Sequence, residues 1–401
     1  MKAPHKLFLI VLLSGTALAL PAQAQDVPPA VQAMLDNMET QVGAEPDYDD
    51  IETDADGTVT ITKLVIKAPA KNGQPAVNLT IDEVTMSDIA DQGDGLYEVG
   101  STTFDGMKVD TGDADFSFVV TMPQGSAEDW YIKAAGDDAT PEETLRASMN
   151  VARKMSSGGF TVSVMGHTIT ADGYEQTWDG DPVTGAGTFG MNLKNLAIPE
   201  SALTALDQGG MLKQLGYAGL NFDMNSTGNM EIANGSMGLD MDFGLSGKDM
   251  GAIKFGVSAD GVPMAAYAEF QKSQQGGTQP DFNALMPQLM GVSFDKLSLR
   301  FEDASLTKRL MPMLAAMQGM DEATMIATAG AMAQMGLMQL QNQAFTDQTV
   351  AAINSFLKAP KSIGVSAKPA TPITVGEIMG LNPAAPGEAI TRLGVSVSAN
   401  D

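Results

Sequence analysis

Apolar residues fall at the first, third, sixth and eighth positions of Val292-Ser293-Phe294-Asp295-Lys296-Leu297-Ser298-Leu299, with two polar residues between the halves. The same spacing recurs from Val59 to Ile66, Leu79 to Met86 and Met191 to Ile198, and more loosely from Thr102 to Val109, Val162 to Ile169 and Leu215 to Phe222. Each half alternates with the period of a strand that buries one face, but the central gap of three would turn the second half to solvent. A bulge in which positions four and five together oppose one residue restores the face and bends the strand. Position five then favours a residue that tolerates positive φ, which Gly106, Gly166, Gly219 and Asn195 supply and Lys63, Glu83 and Lys296 do not.

Val27, Val31, Met34, Leu35 and Met38 are spaced for a short amphipathic helix. Alternating segments broken by Gly, Asp and Asn clusters then predict strands from Gly57 to Met122. Thr140-Pro141-Glu142-Glu143 has the form of a capping box with Pro at the first helical position, and predicts a helix over about 140–156 lined by Leu145, Met149, Ala152 and Met155. Strands resume to Ile198, and a break over Pro199 to Gln214 separates two expected parts: 25–199, β-rich with one helix, and 200–401. The second opens with an alternating meander from Leu220 to Val257. Helices follow over about 304–358, with a kink at Pro312, a cap at Asp321 and another at Thr346 or Asp347, and two strands near Ile363 and Leu393 close the chain. The expected class is α+β, predominantly β: antiparallel, curved, bulged sheets with a C-terminal helical segment packed on them.

The first 24 residues read differently. Lys2, His5 and Lys6 precede an apolar run from Leu7 to Leu20 that ends at Ala22-Gln23-Ala24, the pattern of a secretory signal peptide cleaved after Ala24. Its removal leaves 21 − 49 = −28 formal charges, a field that repels nucleic acid and anionic headgroups. The address is therefore periplasmic, and with zero Cys no disulfide supports the fold, so burial alone must. No later run is long and apolar enough to serve as a transmembrane helix.

Reaction chemistry is sparse. His167 is the one histidine beyond the leader, which excludes a His-based metal cluster within a chain. Ser-x-x-Lys occurs at Ser293 and Lys296, Ser305 and Lys308, and Ser355 and Lys358, without the Lys-Thr-Gly or Ser-Asp-Asn that completes a penicillin-recognising site. Glu52, Asp54, Asp56 and Gly57 echo a calcium loop, but Lys63 stands where the bidentate Glu belongs. The sequence implies no catalytic residue, no metal and no cofactor. The 28 methionines are the unusual abundance, and a Met face can line a groove for varied apolar partners.

The octets resemble the short strands of the AsmA, TamB and YdgA-like envelope proteins. The Leu299-x-Phe301-x-Asp303-x-Ser305-Leu306 passage, followed by helices and late strands, also resembles uncharacterised exported proteins of alphaproteobacteria. That resemblance implies β-rich troughs with apolar interiors that handle lipid or maintain the envelope, although a cleaved leader departs from the retained anchor of that group. The expectation is a non-enzymatic periplasmic protein that binds a lipid, another apolar small molecule or an envelope partner. The groove would be lined by Val292, Phe294, Leu297, Leu299, Met313, Met317, Met325 and Met332. The alternatives are a structural or interaction protein with a filled core, and a hydrolase built on paired carboxylates.

Overall fold

The computed structural model describes residues 27–70, 75–112, 117–134, 136, 139–149, 151–207, 210–267 and 282–401, so the expected signal peptide over residues 1–24 lies outside the described residues. The chain is α+β and predominantly β, with antiparallel strands throughout the paired segments and helices concentrated towards the C-terminus.

Among the described residues the first compact unit ends at Ala152. Strands β1 (Asp50–Thr53), β2 (Val59–Ala68), β3 (Ala76–Gly93), β4 (Leu96–Gly112) and β5 (Ser117–Lys133) form an antiparallel meander in chain order. Val59, Ile61, Leu64 and Ile66, the apolar set of the first octet, are all buried, so both halves share one face as the spacing requires. The device differs from the one expected. Lys63 lies opposite Asp82, Asp82 opposite Gly106 and Gly106 opposite Pro123, with no change of register on either side. Pairing is interrupted on the same line in all four strands, with positive φ at Lys63 and Gly106, and on that line none carries an extra residue relative to its neighbour. A second crease runs through Asp88, Gly100 and Asp129. Lys63 takes φ 53°, against expectation, and its ammonium is held 2.6 Å from the Asp49 carboxylate. At Gly106, φ is 65° and a Cβ would overlap the Asp82 side chain.

Helix α1 (Pro29–Val42) buries Val31, Met34 and Leu35 and stops at Gly43, whose φ of 72° suits glycine. Helix α2 (Pro141–Ser148) starts at the expected capping box: the Glu143 amide donates to the Thr140 hydroxyl at 3.2 Å and the Thr140 amide donates back to the Glu143 carboxylate at 2.7 Å. It ends eight residues before the expected limit at 156. Val151–Ser157 is strand β6, whose Lys154 and Ser156 pair with β9, so sheet pairing overrides helical spacing there.

The second unit begins at Arg153, not at the expected boundary near 199. Strands β7 (Phe160–Val164) and β8 (His167–Ala171) form a hairpin, and β9 (Gly173–Gly180), β10 (Gly187–Pro199), β11 (Gly219–Ala233), β12 (Ser236–Gly247), β13 (Gly251–Pro263) and β14 (Ser293–Asp303) pair successively. β14 continues to β15 (Ser362–Ala367) and β16 (Ile373–Thr374), and β15 to β17 (Val395–Ala399). The break over Pro199–Gln214 is a crossover inside this unit: it holds α3 (Glu200–Leu206) and α4 (Met211–Gln214) between strands that pair directly.

Two octets here carry the expected bulge. Lys194 and Asn195 together face Asp223, with Asn195 at φ 50° and its amide donating to the Asp223 carboxylate at 2.8 Å. Asp295 and Lys296 face Ser258, and Lys296 keeps a negative φ. Two looser copies are different objects. Met165 and Gly166 are the positive-φ turn of the β7–β8 hairpin, and Leu215 to Phe222 is the end of α4 leading into β11.

The unit also holds helices α5 (Phe282–Leu289), α6 (Leu306–Met317), α7 (Glu322–Leu337), α8 (Gln343–Lys358), α9 (Val375–Met379) and α10 (Pro386–Arg392). Asp321 caps α7 as expected, but α8 is capped by Asn342, whose side-chain oxygen accepts from the Phe345 amide at 3.0 Å, so Thr346 and Asp347 lie inside it. A second capping box, Thr374 with Glu377, starts α9.

The creases lead to a stability contrast. Leu64→Ala is expected to cost about 2–5 kcal/mol, and Gly106→Ala about 1–3 kcal/mol through backbone strain, each read as a lower urea midpoint at unchanged m.

Candidate functional site

Side chains that pair across neighbouring strands share a face, so the registers sort the second unit's sheet into two chemically different sides. On one, Met191 pairs with Ser226, Ser226 with Phe243, Phe243 with Phe255, Phe255 with Leu299, Leu299 with Val365 and Val365 with Val397. A parallel row runs through Phe189, Gly228, Met241, Val257 and Leu297. This apolar side is covered unevenly. Phe356 of α8 meets Phe301 edge-on, with ring centroids 6.2 Å apart. Beyond that helix Leu297 and Leu299 remain 48% and 49% exposed, and Ile253 and Val365 are also exposed. Adjacent exposed apolar side chains of this kind mark surfaces that bind something.

The opposite side is polar. Asp242, Gly256, Ser298 and Ser366 form one row across β12 to β15. The Lys296 ammonium reaches the Asp242 carboxylate at 3.2 Å, Lys254 reaches Glu302 at 2.8 Å, and Arg300 reaches Asp401 at 2.6 Å. Two hollows lie against this side. One, of about 370 Å³, is lined by Asp242, Lys254, Ser298 and Arg300 together with Phe243, Phe255, Leu299 and Val365, and the other, of about 730 Å³, by Arg153, Asp179, Asn229 and Asp240 together with Trp178 and Phe189. The linings of both hollows thus mix charged and small residues with aromatic or aliphatic ones.

The expected groove residues do not form one lining. Val292 is buried, and its carbonyl accepts from the Val375 amide at 2.8 Å. Phe294 is half-buried opposite Ile373. Leu297 and Leu299 share the open apolar face. Met313 fills a separate cluster with Leu203, Leu215, Tyr217 and Leu220, where the Arg309 guanidinium stacks 4.5 Å from the Tyr217 ring. Met317 is exposed at the end of α6, and Met325 and Met332 belong to α7. Sequence spacing could place residues on faces but not show which faces of different elements meet. Ile253 and Val365 were missed as members of the open patch, although both stand in alternating strands.

Two of the candidate serines have structural partners. The Ser305 hydroxyl donates to the Asp249 carbonyl, and the Ser355 hydroxyl accepts from Asn400 at 3.0 Å. His167 begins β8 beside the hairpin turn. Asp54 accepts from the amides of Asp56 and Thr58, both at 2.9 Å, which makes the calcium-like stretch a turn into β2. Among the described residues no group of three or more His, Cys, Asp or Glu is placed to hold a metal ion, and no helix is long and apolar enough to cross a membrane.

Glu302 carries a pH signature. Its hydrogen bond to Lys254, aided by Arg300, holds its carboxyl below the ordinary value of 4.5. A lowered folded-state pKa stabilises above the unfolded value and is lost as pH falls through the folded one. The melting temperature is therefore expected to drop below pH about 4.5, and to drop less in Glu302→Gln, although the pair's exposure keeps the difference small. Against known proteins, a family model described only as an uncharacterised protein matches residues 244–400, less than half of the chain. No curated protein matches it.

Proposed function

We propose that this is an exported, periplasmic, non-enzymatic binding protein that holds an apolar or lipid-like ligand, or an apolar envelope partner, against the open side of its second sheet. The observation that carries this reading is the patch of Leu297, Leu299, Ile253 and Val365. Leaving apolar surface in water costs about 25 cal/mol per Å², so a chain that aligns these side chains and leaves them uncovered gains by binding. The patch lies inside the stretch matched by the family model. The leader with its Ala22-Gln23-Ala24 ending suits the periplasm, where such a ligand would be met. The engaged serines and the turn position of Asp54 favour binding over catalysis. The first unit, with its interior filled by Ile61, Leu64, Val84 and Met86, suits a scaffolding role.

Solvent extraction of the purified protein followed by lipid mass spectrometry is expected to yield an amphiphile, and a fluorescent fatty acid to bind. Leu299→Asp should weaken that binding at least tenfold while leaving the unfolding midpoint within about 0.5 kcal/mol, as for other exposed positions. An empty extract together with no fatty-acid binding rejects the proposal.

A further inference from the structure

Helix α7 differs from the rest of this acidic surface. From Ala323 to Thr346 there is no Asp, Glu, Lys, Arg or His, and between Leu310 and Thr346 the only charges are Asp321 and Glu322, at the capped start of α7. The inner side of α7 packs on α8 at Gly330, where a Cβ would overlap the Asn354 amide. Its outer side presents Met332 and Met335, 65% and 67% exposed, continued by Met338 at 63% in the following 3-10 turn. Met317, at the end of α6, is 75% exposed. Only Gly330 of α7 is buried, although beyond Glu322, Thr324, Thr328 and Gln334 the helix consists of Ala, Gly, Met, Ile and Leu, and a helix so largely apolar is ordinarily covered.

Two physical facts select the cover. A helix of this length is about 24 Å long, and one face of it offers roughly 300 Å², well short of the 800 Å² or so per partner that a stable protein interface needs. A bilayer interface sets no such minimum, and its hold grows with whatever apolar area enters it. The charge then selects the lipid: a chain of net charge −26 is repelled by anionic headgroups, whereas a charge-free face meets no penalty at a zwitterionic one. Methionine suits the role, since its unbranched side chain adapts to a fluid partner. We propose that the Met332–Met335–Met338 face docks on the surface of a zwitterionic lipid bilayer. This rests on the reading of an apolar ligand given above, for which a bilayer is the source.

The test is flotation of the full chain with phosphatidylcholine vesicles, and with vesicles containing phosphatidylglycerol. The chain is expected to float with the first and less with the second. The double substitution Met332→Glu and Met335→Glu should reduce flotation at least tenfold without changing fatty-acid binding, and Met332→Leu with Met335→Leu should retain flotation. Absence of flotation, or flotation indifferent to the glutamates, overturns the proposal. So does a concentration-dependent dimer in sedimentation that the same glutamates abolish, because the face then belongs to a second copy. Flotation that survives while fatty-acid binding is absent removes the ligand reading and leaves the docking face standing.

Discussion

The structure depends on correcting a phase error. A strand presents alternate residues to alternate sides, so a gap of three between apolar positions would send half of each segment into water. The chain answers by bending at the gap. In the first unit the bends align, Lys63 with Asp82, Gly106 and Pro123, so that neighbouring strands turn together and keep register. In the second unit they are isolated bulges at Asn195 and Asp295, where one strand bears an extra residue and the partner does not. Both solutions return Leu and Ile to the side they left. With zero Cys, burial secured this way must hold the fold.

Positive φ at the bends has different local support. At Gly106 the missing Cβ leaves room for the Asp82 side chain, and at Asn195 a short polar side chain tolerates the left-handed region while the freed amide finds Asp223. Lys63 has neither advantage; it lies in the crease opposite Asp82 with its ammonium 2.6 Å from the Asp49 carboxylate.

The same alternation produces opposite outcomes in the two units. In the first, α1 supplies Val31, Met34 and Leu35 and the apolar side is closed. In the second, Phe356 of α8 meets Phe301, while Leu297, Leu299, Ile253 and Val365 on the same side stay exposed. Leu297 and Leu299 are as apolar as Ile61 and Leu64. Their exposure reflects which helix arrives, not which residue is present.

The sequence by itself determined the faces. Alternation with gaps of three, the Thr140–Glu143 capping box, the Asp321 cap and the turn at Asp54 are interactions within a few residues, and local spacing encodes them. A gap of three shows that a bend is required. It does not show whether the neighbour bends too, because that depends on a residue such as Asp82 lying opposite, a matter of long-range pairing. Helical spacing over Met149, Ala152 and Met155 lost to β9 for the same reason. The candidate groove suffered most. Met313, Met325 and Met332 had suitable chemistry, but only the tertiary packing decided that the first would pack in a core with Tyr217 while the others ride on α7. Coverage belongs to a whole fold, since it is fixed by elements distant in the chain.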